Sequence, residues 1–265
     1  MSILLVDFFG TSCMQTSQLP NCTTLLTTDS TPSTQDVIAS LNQPARTACV
    51  AQQQTQGRGR LGKTWISPKD NHLYLSYGDH SSLSVAELQG ITLAFAITTC
   101  EAIESLIPLP QPLSLKWPND IYYDDKKMGG LLLETQSSKT QSTYLILGLG
   151  LNIGTPPCDK QLNETSTSLT AITDSPINTQ ALTASILTAW QDCLQAFNTN
   201  GLRTFLPRWK NRDRLYNQPI RYRMNGSQLE GYAHGINEQG LLLITHKNQQ
   251  QACNPSELSL IRPMA

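Results

Sequence analysis

The sequence predicts an α+β protein in two parts. Residues 1–215 mix strands with packed helices, and residues 216–265 form a small all-β barrel. Three observations predict it. Segments 84–107 and 179–200 repeat apolar residues at helical spacing, with strand-like runs between and before them. From Gln218 onward the period falls to two, in short runs. At 265 residues the chain can bury one substantial core with a small second domain, or two modest domains.

The elements follow in order. Residues 3–9 and 23–28 are apolar enough for strands. Ser33 with Asp36 has the form of a capping box and opens a helix to about Asn42. Residues 47–51 and 71–77 read as strands. Ser84 with Glu87 is a second capping box, starting a helix whose Leu88, Ile91, Phe95, Ala102, Ile103 and Leu106 share a face; Pro108 ends it. Residues 113–120 run from strand into turn, 121–123 resume, 124–127 turn back and 128–134 return. Gly129 and Gly130 in that strand mark close approach of a ligand or backbone. Residues 143–153 are a buried strand holding Gly148 and Gly150. A polar stretch follows, with a short helical turn near 168–172. Over 179–200, Leu182, Ile186, Leu187, Trp190, Leu194 and Phe197 line one helix face, Trp190 as core, and Gly201 is the C-cap. A shorter helix reaches about Arg214. Asn225-Gly226 predicts a type I′ hairpin turn, and 240–245, 250–254 and 258–261 supply further strands.

Net charge is −1 and the pI about 6.4, so nothing draws bulk DNA or a membrane surface. Seven scattered cysteines without a C-x-x-C read as reduced thiols of a cytoplasmic protein, not a disulfide frame or zinc site. Residues 2–6 are too short for a secretion signal and are broken by Asp7; no run reaches transmembrane length.

The chemistry concentrates in Gln54-Thr55-Gln56-Gly57-Arg58-Gly59-Arg60-Leu61-Gly62-Lys63-Thr64-Trp65. Its glycines allow close backbone approach, and its arginines and lysine suit a carboxylate or phosphate. Residues 57–62 read G-x-G-x-x-G and residues 57–64 read G-x-x-x-x-G-K-T, so a dinucleotide loop and a P-loop are both open. Each needs a helix directly after the loop, and Pro68 disfavours one. A solvated loop without a ligand is the plain alternative.

Five motifs in order resemble the biotin protein ligases. They are Ser33-Thr34, the loop from Gln54 to Trp65, Lys116-Trp117-Pro118-Asn119-Asp120, Lys127-x-Gly129-Gly130 and Gly148-x-Gly150-x-Asn152. Gln35 stands where the family often has Asn and Lys63 where it often has Arg; Asp29-Ser30-Thr31 offers a second register for the Ser-Thr motif. Arg262 lies one residue from the place of a family arginine and is left out of the site. The resemblance implies a mixed sheet with packed helices, like class II aminoacyl-tRNA synthetases, then an SH3-like barrel.

It also implies a two-step reaction, through biotinyl-adenylate, that joins biotin to a lysine of a biotin carboxyl carrier protein such as that of acetyl-CoA carboxylase. ATP and biotin are substrates, and magnesium accompanies the pyrophosphate. Biotin is held by Ser33, Thr34, Gln35, Gln54, Gly129 and Gly130, with Ser33, Thr34 and Gln54 at its ureido ring. Arg58, Gly59 and Arg60 cover its carboxylate and the adenylate phosphate, and Lys127 bridges the two. Arg60, Lys63, Trp65, Asn119, Lys127 and Asn152 face ATP. Asp120 orients or deprotonates the incoming lysine, or else caps turn amides. A lipoate ligase of the same fold, a biotin-responsive repressor and a P-loop NTPase are the rival functions. Only about thirty residues precede the first motif, which speaks against a repressor's DNA-binding domain. Monomer and homodimer stay open.

Overall fold

The computed structural model describes residues 14–21, 23–69, 72–137, 142–156 and 165–264; the strand expected over 3–9 lies outside them. Eight strands form the first sheet: β1 Gln15–Gln18, β2 Thr24–Thr31, β3 Thr47–Gln54, β4 His72–Ser81, β5 Ser114–Lys116, β6 Asp120–Tyr123, β7 Lys126–Ser137 and β8 Thr143–Asn152. Their order is β1-β2-β3-β4-β8-β7-β6-β5. Only β2 and β3 run parallel, because helix α1 (Thr34–Ser40) crosses between them. The mixed sheet expected from the sequence is the one observed.

Strand alternation sorts the sheet into two faces. Leu73, Leu75 and Tyr77 of β4 join Leu145, Leu147 and Leu149 of β8 in one core beneath α2 (Ile91–Leu106) and α3 (Thr179–Asn200). Trp190 is wedged there against Phe95 and Tyr77, and its indole N–H donates to Thr99 Oγ1 at 2.8 Å. On the other face α1 sets Val37 and Ile38 on Leu26, Cys49, Tyr144 and Ile146. The next residues of β8 on that face are Gly148 and Gly150.

Two helix starts differ from expectation. Ser84 and Glu87 do exchange capping bonds, at 2.9 and 3.4 Å, but they close only a turn. Gly90, at φ 87°, interrupts the chain, and α2 begins at Ile91. Ser33 stands at the N-cap of α1 without a side-chain cap bond, and Asp36 pairs with Arg58 instead of serving the box.

The second sheet holds β9 Gln218–Met224, β10 Ser227–Ile236, β11 Leu242–His246, β12 Gln249–Cys253 and β13 Leu258–Pro263, in the order β12-β11-β10-β9-β13 and all antiparallel. It is a curled, barrel-like unit. Asn225 (φ 49°) and Gly226 (φ 81°) make the hairpin turn with both central residues left-handed. Ile220, Tyr222, Leu242 and Ile244 are buried in the same apolar cluster as α2 and α3. Trp117 Nε1 crosses the seam to Gly240 O at 2.9 Å.

After α4 (Leu206–Lys210), residues 212–214 lie along the edge of β5, with Leu115 N to Arg212 O at 2.7 Å and Arg214 N to Leu115 O at 3.0 Å. Asp213 is held here by Leu215 N at 2.9 Å and Trp209 Nε1 at 3.1 Å. Burial outweighs both donors and pushes its pKa from 3.8 up to about 6. The native state therefore binds the extra proton between about pH 4 and 6, so this group's contribution to stability falls as pH rises through that window. The stability difference between wild type and Asp213→Asn, from urea melts at pH 4 and pH 7, is expected to move against the wild type by roughly 2–3 kcal/mol. A pH-independent difference would refute the linkage.

Candidate active site

A trough opens on the α1 face of the first sheet because three strand positions lack side chains. Gly130 of β7 pairs with Gly150 of β8, which pairs with Tyr74 of β4. In the next row Leu132 pairs with Gly148 and Gly148 with Ser76. A Cβ on Gly150 would strike the Trp65 indole, and one on Gly148 would lie 2.8 Å from Gln35 Cδ. Trp65 and Gln35 thus lie directly on bare backbone. The cleft encloses about 230 Å³.

One end of the trough is polar. Gln54 Oε1 accepts Thr34 N at 2.9 Å and Thr34 Oγ1 at 3.1 Å. Thr34 Oγ1 is 2.7 Å from Ser76 Oγ. Gln35 Nε2 donates to Leu132 O at 3.2 Å.

Cations line the cleft as well, and Arg58 lies beside the polar end, on the same Glu134 Oε2 that Gln35 Nε2 reaches at 3.4 Å. Arg58, Arg60, Lys63, Lys116, Lys127 and Arg262 line the cleft, against the single carboxylate of Asp120 among the described lining residues. In a protein of net charge −1, that clustering marks an anion site. Lys127 Nζ is 2.7 Å from Asp120 Oδ1 and 5.4 Å from the Trp65 ring centroid. Lys116 Nζ sits 3.8 Å from Asp120 Oδ2 and donates to Tyr122 OH at 2.6 Å. Arg60 reaches across the seam to Pro255 O at 2.7 Å. Burial lowers its guanidinium pKa, opposed by nearby Asp120. Arg58 is already engaged, by Asp36 and by Glu134 (2.7 Å).

Arg58, Gly59, Arg60, Lys63 and Trp65 all come from one short hairpin. Gln54 and Ser67 bridge at its base, Arg58 and Thr64 bridge higher up, and Gly59 N bonds Lys63 O at 2.7 Å. Leu61 (φ 55°) and Gly62 (φ 73°) form the left-handed tip. Among the described residues no helix lies between the hairpin and β4. A P-loop and a dinucleotide loop both lack their required helix N-terminus here.

The structure brings together Thr34, Gln35, Gln54, Arg58, Gly59, Arg60, Lys63, Trp65, Asn119, Asp120, Lys127, Gly130 and Asn152 in the wall of this cleft. Ser33 and Gly129 are buried outside the wall. Gly129 is needed for strand packing, since its Cβ would lie 2.8 Å from Gly150 O. Ser30 and Thr31 end β2 and are not among the wall residues, whereas Thr34 is, so the Ser33-Thr34 register is the one at the cleft. Sequence reasoning missed Ser76, Lys116, Gly148, Gly150 and Arg262 as wall residues. The two-residue spacing of Gly148 and Gly150 was a usable signal, because it places both on one face.

The biotin/lipoate A/B protein ligase family matches residues 27–152, the stretch that supplies most of the wall. Relatives match along more of the chain. The bifunctional ligase/repressor BirA of Escherichia coli (strain K12) is 27% identical over 213 residues, 80% of this chain and 66% of the relative. This chain thus spans 66% of that relative's length. A biotin–[acetyl-CoA-carboxylase] ligase of Paracoccus denitrificans is 25% identical over 79% of this chain and 88% of its own. Among solved structures, the biotin protein ligase from Aquifex aeolicus in complex with biotin and ATP matches with a TM-score of 0.77 at 28% identity, covering 91% of this chain and 99% of that one.

Proposed function

We propose that the protein is an ATP-dependent biotin protein ligase. The observation that carries the reading is the cleft itself: hydroxyls and amides of Thr34, Gln35, Gln54 and Ser76 at one end, with six cations against one carboxylate among the described lining residues. A neutral ureido ring suits the hydroxyls and amides, and a carboxylate tail and a nucleotide's phosphates suit the cations. In the first step biotin's carboxylate attacks the α-phosphorus of ATP; biotinyl-adenylate forms and pyrophosphate leaves. Two anions must meet for this, so fixed cations between them lower the barrier. Lys127, Lys116 and Arg60 line the cleft and would supply them. In the second step the amine of a carrier lysine attacks the activated carbonyl and AMP leaves. Asp120 is already held by Lys127 and Lys116, so in the free protein it orients those lysines. It is released to receive the incoming amine's proton once phosphate takes its partners.

Arg58 enters by exchange: the adenylate phosphate competes with Asp36 and Glu134 for its guanidinium. Among the described residues no group of three or more metal-ligating side chains occurs. Magnesium belongs to this reading as an ion that phosphate oxygens and water would mainly hold, with Asp120 the one carboxylate among the described lining residues of the cleft. The carrier of acetyl-CoA carboxylase or a similar enzyme as acceptor, a cytoplasmic setting and a division of the chain at 215/216 belong to the same proposal. No helix of the described residues is long and apolar enough to cross a membrane.

Biotin-dependent exchange of labelled pyrophosphate into ATP tests the first step. Exchange with lipoate and not biotin would replace this reading by the lipoate one. Arg60→Ala is expected to let the adenylate leak, because Arg60 ties the hairpin to the second sheet. Losing one charge-assisted bond of about 1.5–3 kcal/mol corresponds to roughly a 10- to 150-fold faster release. Single-turnover dissociation measures it, and an unchanged rate contradicts it.

A further inference from the structure

We propose that Ser67 is a positioning residue that couples the polar end of the cleft to closure of the cationic hairpin, a role that rests on the biotin reading. Ser67 is 5% exposed and lies outside the motifs that carry the family resemblance. Its hydroxyl accepts Gln54 Nε2 at 3.0 Å and donates to Trp65 O at 3.0 Å. These two bonds complete a one-way relay. Thr34 donates its hydroxyl proton to Gln54 Oε1, so Ser76 is the donor to Thr34. Gln54 passes the chain on through Nε2 to Ser67, and Ser67 ends it on the Trp65 carbonyl.

The relay spans three elements: β4 at Ser76, the start of α1 at Thr34 and the end of β3 at Gln54. Its last member controls the hairpin. Trp65 carries the indole that lies on Gly150, and the Trp65 backbone N–H donates to Gly57 O at 2.9 Å. Gly57 packs flat on the junction, since a Cβ there would sit 2.6 Å from Ser67 Oγ and 3.1 Å from Gln54 Nε2. A ligand that draws Thr34 and Gln54 into one orientation therefore also seats Ser67, and Ser67 seats the strand that brings Trp65 over the floor. Without the hydroxyl, Gln54 Nε2 and Trp65 O lose their shared partner, and the backbone bridge between Gln54 and Ser67 is left as the weaker link between the polar end and the hairpin.

The test compares wild type, Ser67→Ala, Gln54→Ala and the double variant in pyrophosphate exchange. Hydrogen exchange over residues 55–66 is followed in the ligand-free proteins. Ser67→Ala is expected to raise the biotin KM about tenfold with little change in kcat, the effect of losing one relay bond. It is also expected to speed hydrogen exchange in the hairpin. In the Gln54→Ala background the further effect of Ser67→Ala on KM should fall below about twofold, because the partner it acts through is gone. An unchanged KM, an equal KM effect in both backgrounds, unchanged hydrogen exchange, or a Ser67→Ala chain that does not fold would each overturn the role. No biotin-dependent exchange by the wild type would overturn the biotin reading and this role together, and that outcome is visible before any variant is made.

Discussion

Lys127→Ala is expected to slow biotin-dependent pyrophosphate exchange by roughly a hundred- to a thousandfold, the effect of losing one preorganised group worth about 2.7–4 kcal/mol at a transition state. Biotin's carboxylate and the α-phosphate repel each other as they approach, and a fixed ammonium relieves that repulsion most where the charges are closest. Lys127 is fixed in this sense, between Asp120 and the Trp65 ring, with its side chain 21% exposed. From the sequence it reads as one end of a polar turn; the structure gives it more packing than that. Its loss is nevertheless tolerable to the fold, because Lys116 remains near Asp120 and the carboxylate is not stranded. A stability loss of about 1–2 kcal/mol follows, between the exposed and buried limits for ion pairs. Lys126 is the internal control, since its side chain is exposed and is not part of the cleft. Pyrophosphate exchange and urea melts of Lys127→Ala and Lys126→Ala, run side by side, decide the matter. Equal activities would remove Lys127 from the reaction, and so would a Lys127→Ala protein that is inactive because it is unfolded.

Gly57→Ala is expected to pry the cationic hairpin open. The new Cβ would collide with the Trp65 carbonyl and lie 2.6 Å from Ser67 Oγ. The carbonyl is backbone, so no rotamer change relieves the clash, and the Trp65 N to Gly57 O bond of 2.9 Å is strained with it. Overpacking of this kind costs about 1–3 kcal/mol, roughly a 5- to 150-fold shift toward the open hairpin. Thermal stability should change little, since the hairpin contributes to neither apolar cluster. KM for biotin and ATP should rise together, and limited proteolysis should cut within 55–66. Gly62→Ala is the contrast: a Cβ there meets nothing within 4 Å, and only its φ of 73° resists. If Gly57→Ala is cut no faster than Gly62→Ala, the hairpin is not held the way the contacts indicate.

Much of the fold was legible because the signals were local. The limits of α3 follow from its apolar face and from Gly201 at its end. The turn at Asn225-Gly226 follows from residues that tolerate left-handed backbone. The start of α2 was not legible, because a correct capping box at Ser84 is cut short by Gly90. A Cβ on Gly90 would lie 2.7 Å from Leu202 Cδ2, a contact from far along the chain. At the site, the hairpin and the Lys116–Asp120 run were visible as motifs. The residues that restrain them were not. Glu134, which holds Arg58, lies in an ordinary strand, and Ser76 looks like any polar position of an alternating one.

By itself the sequence determined the turn at Asn225-Gly226, which helix faces are apolar, and that a cationic glycine loop sits in the first third of the chain. Those properties depend on neighbours a few residues apart, through φ preferences, period and charge. Tertiary structure alone decided that Gly130, Gly148 and Gly150 fall side by side on one sheet face, because that depends on the register of β7 on β8 and β8 on β4. It alone decided that Arg58 rests on Asp36 and Glu134, that Arg60 reaches Pro255, and that β13 supplies Arg262 to the cleft. Each of these joins groups whose separation along the chain carries no information about their distance in space, and which meet only once the sheets have paired and packed.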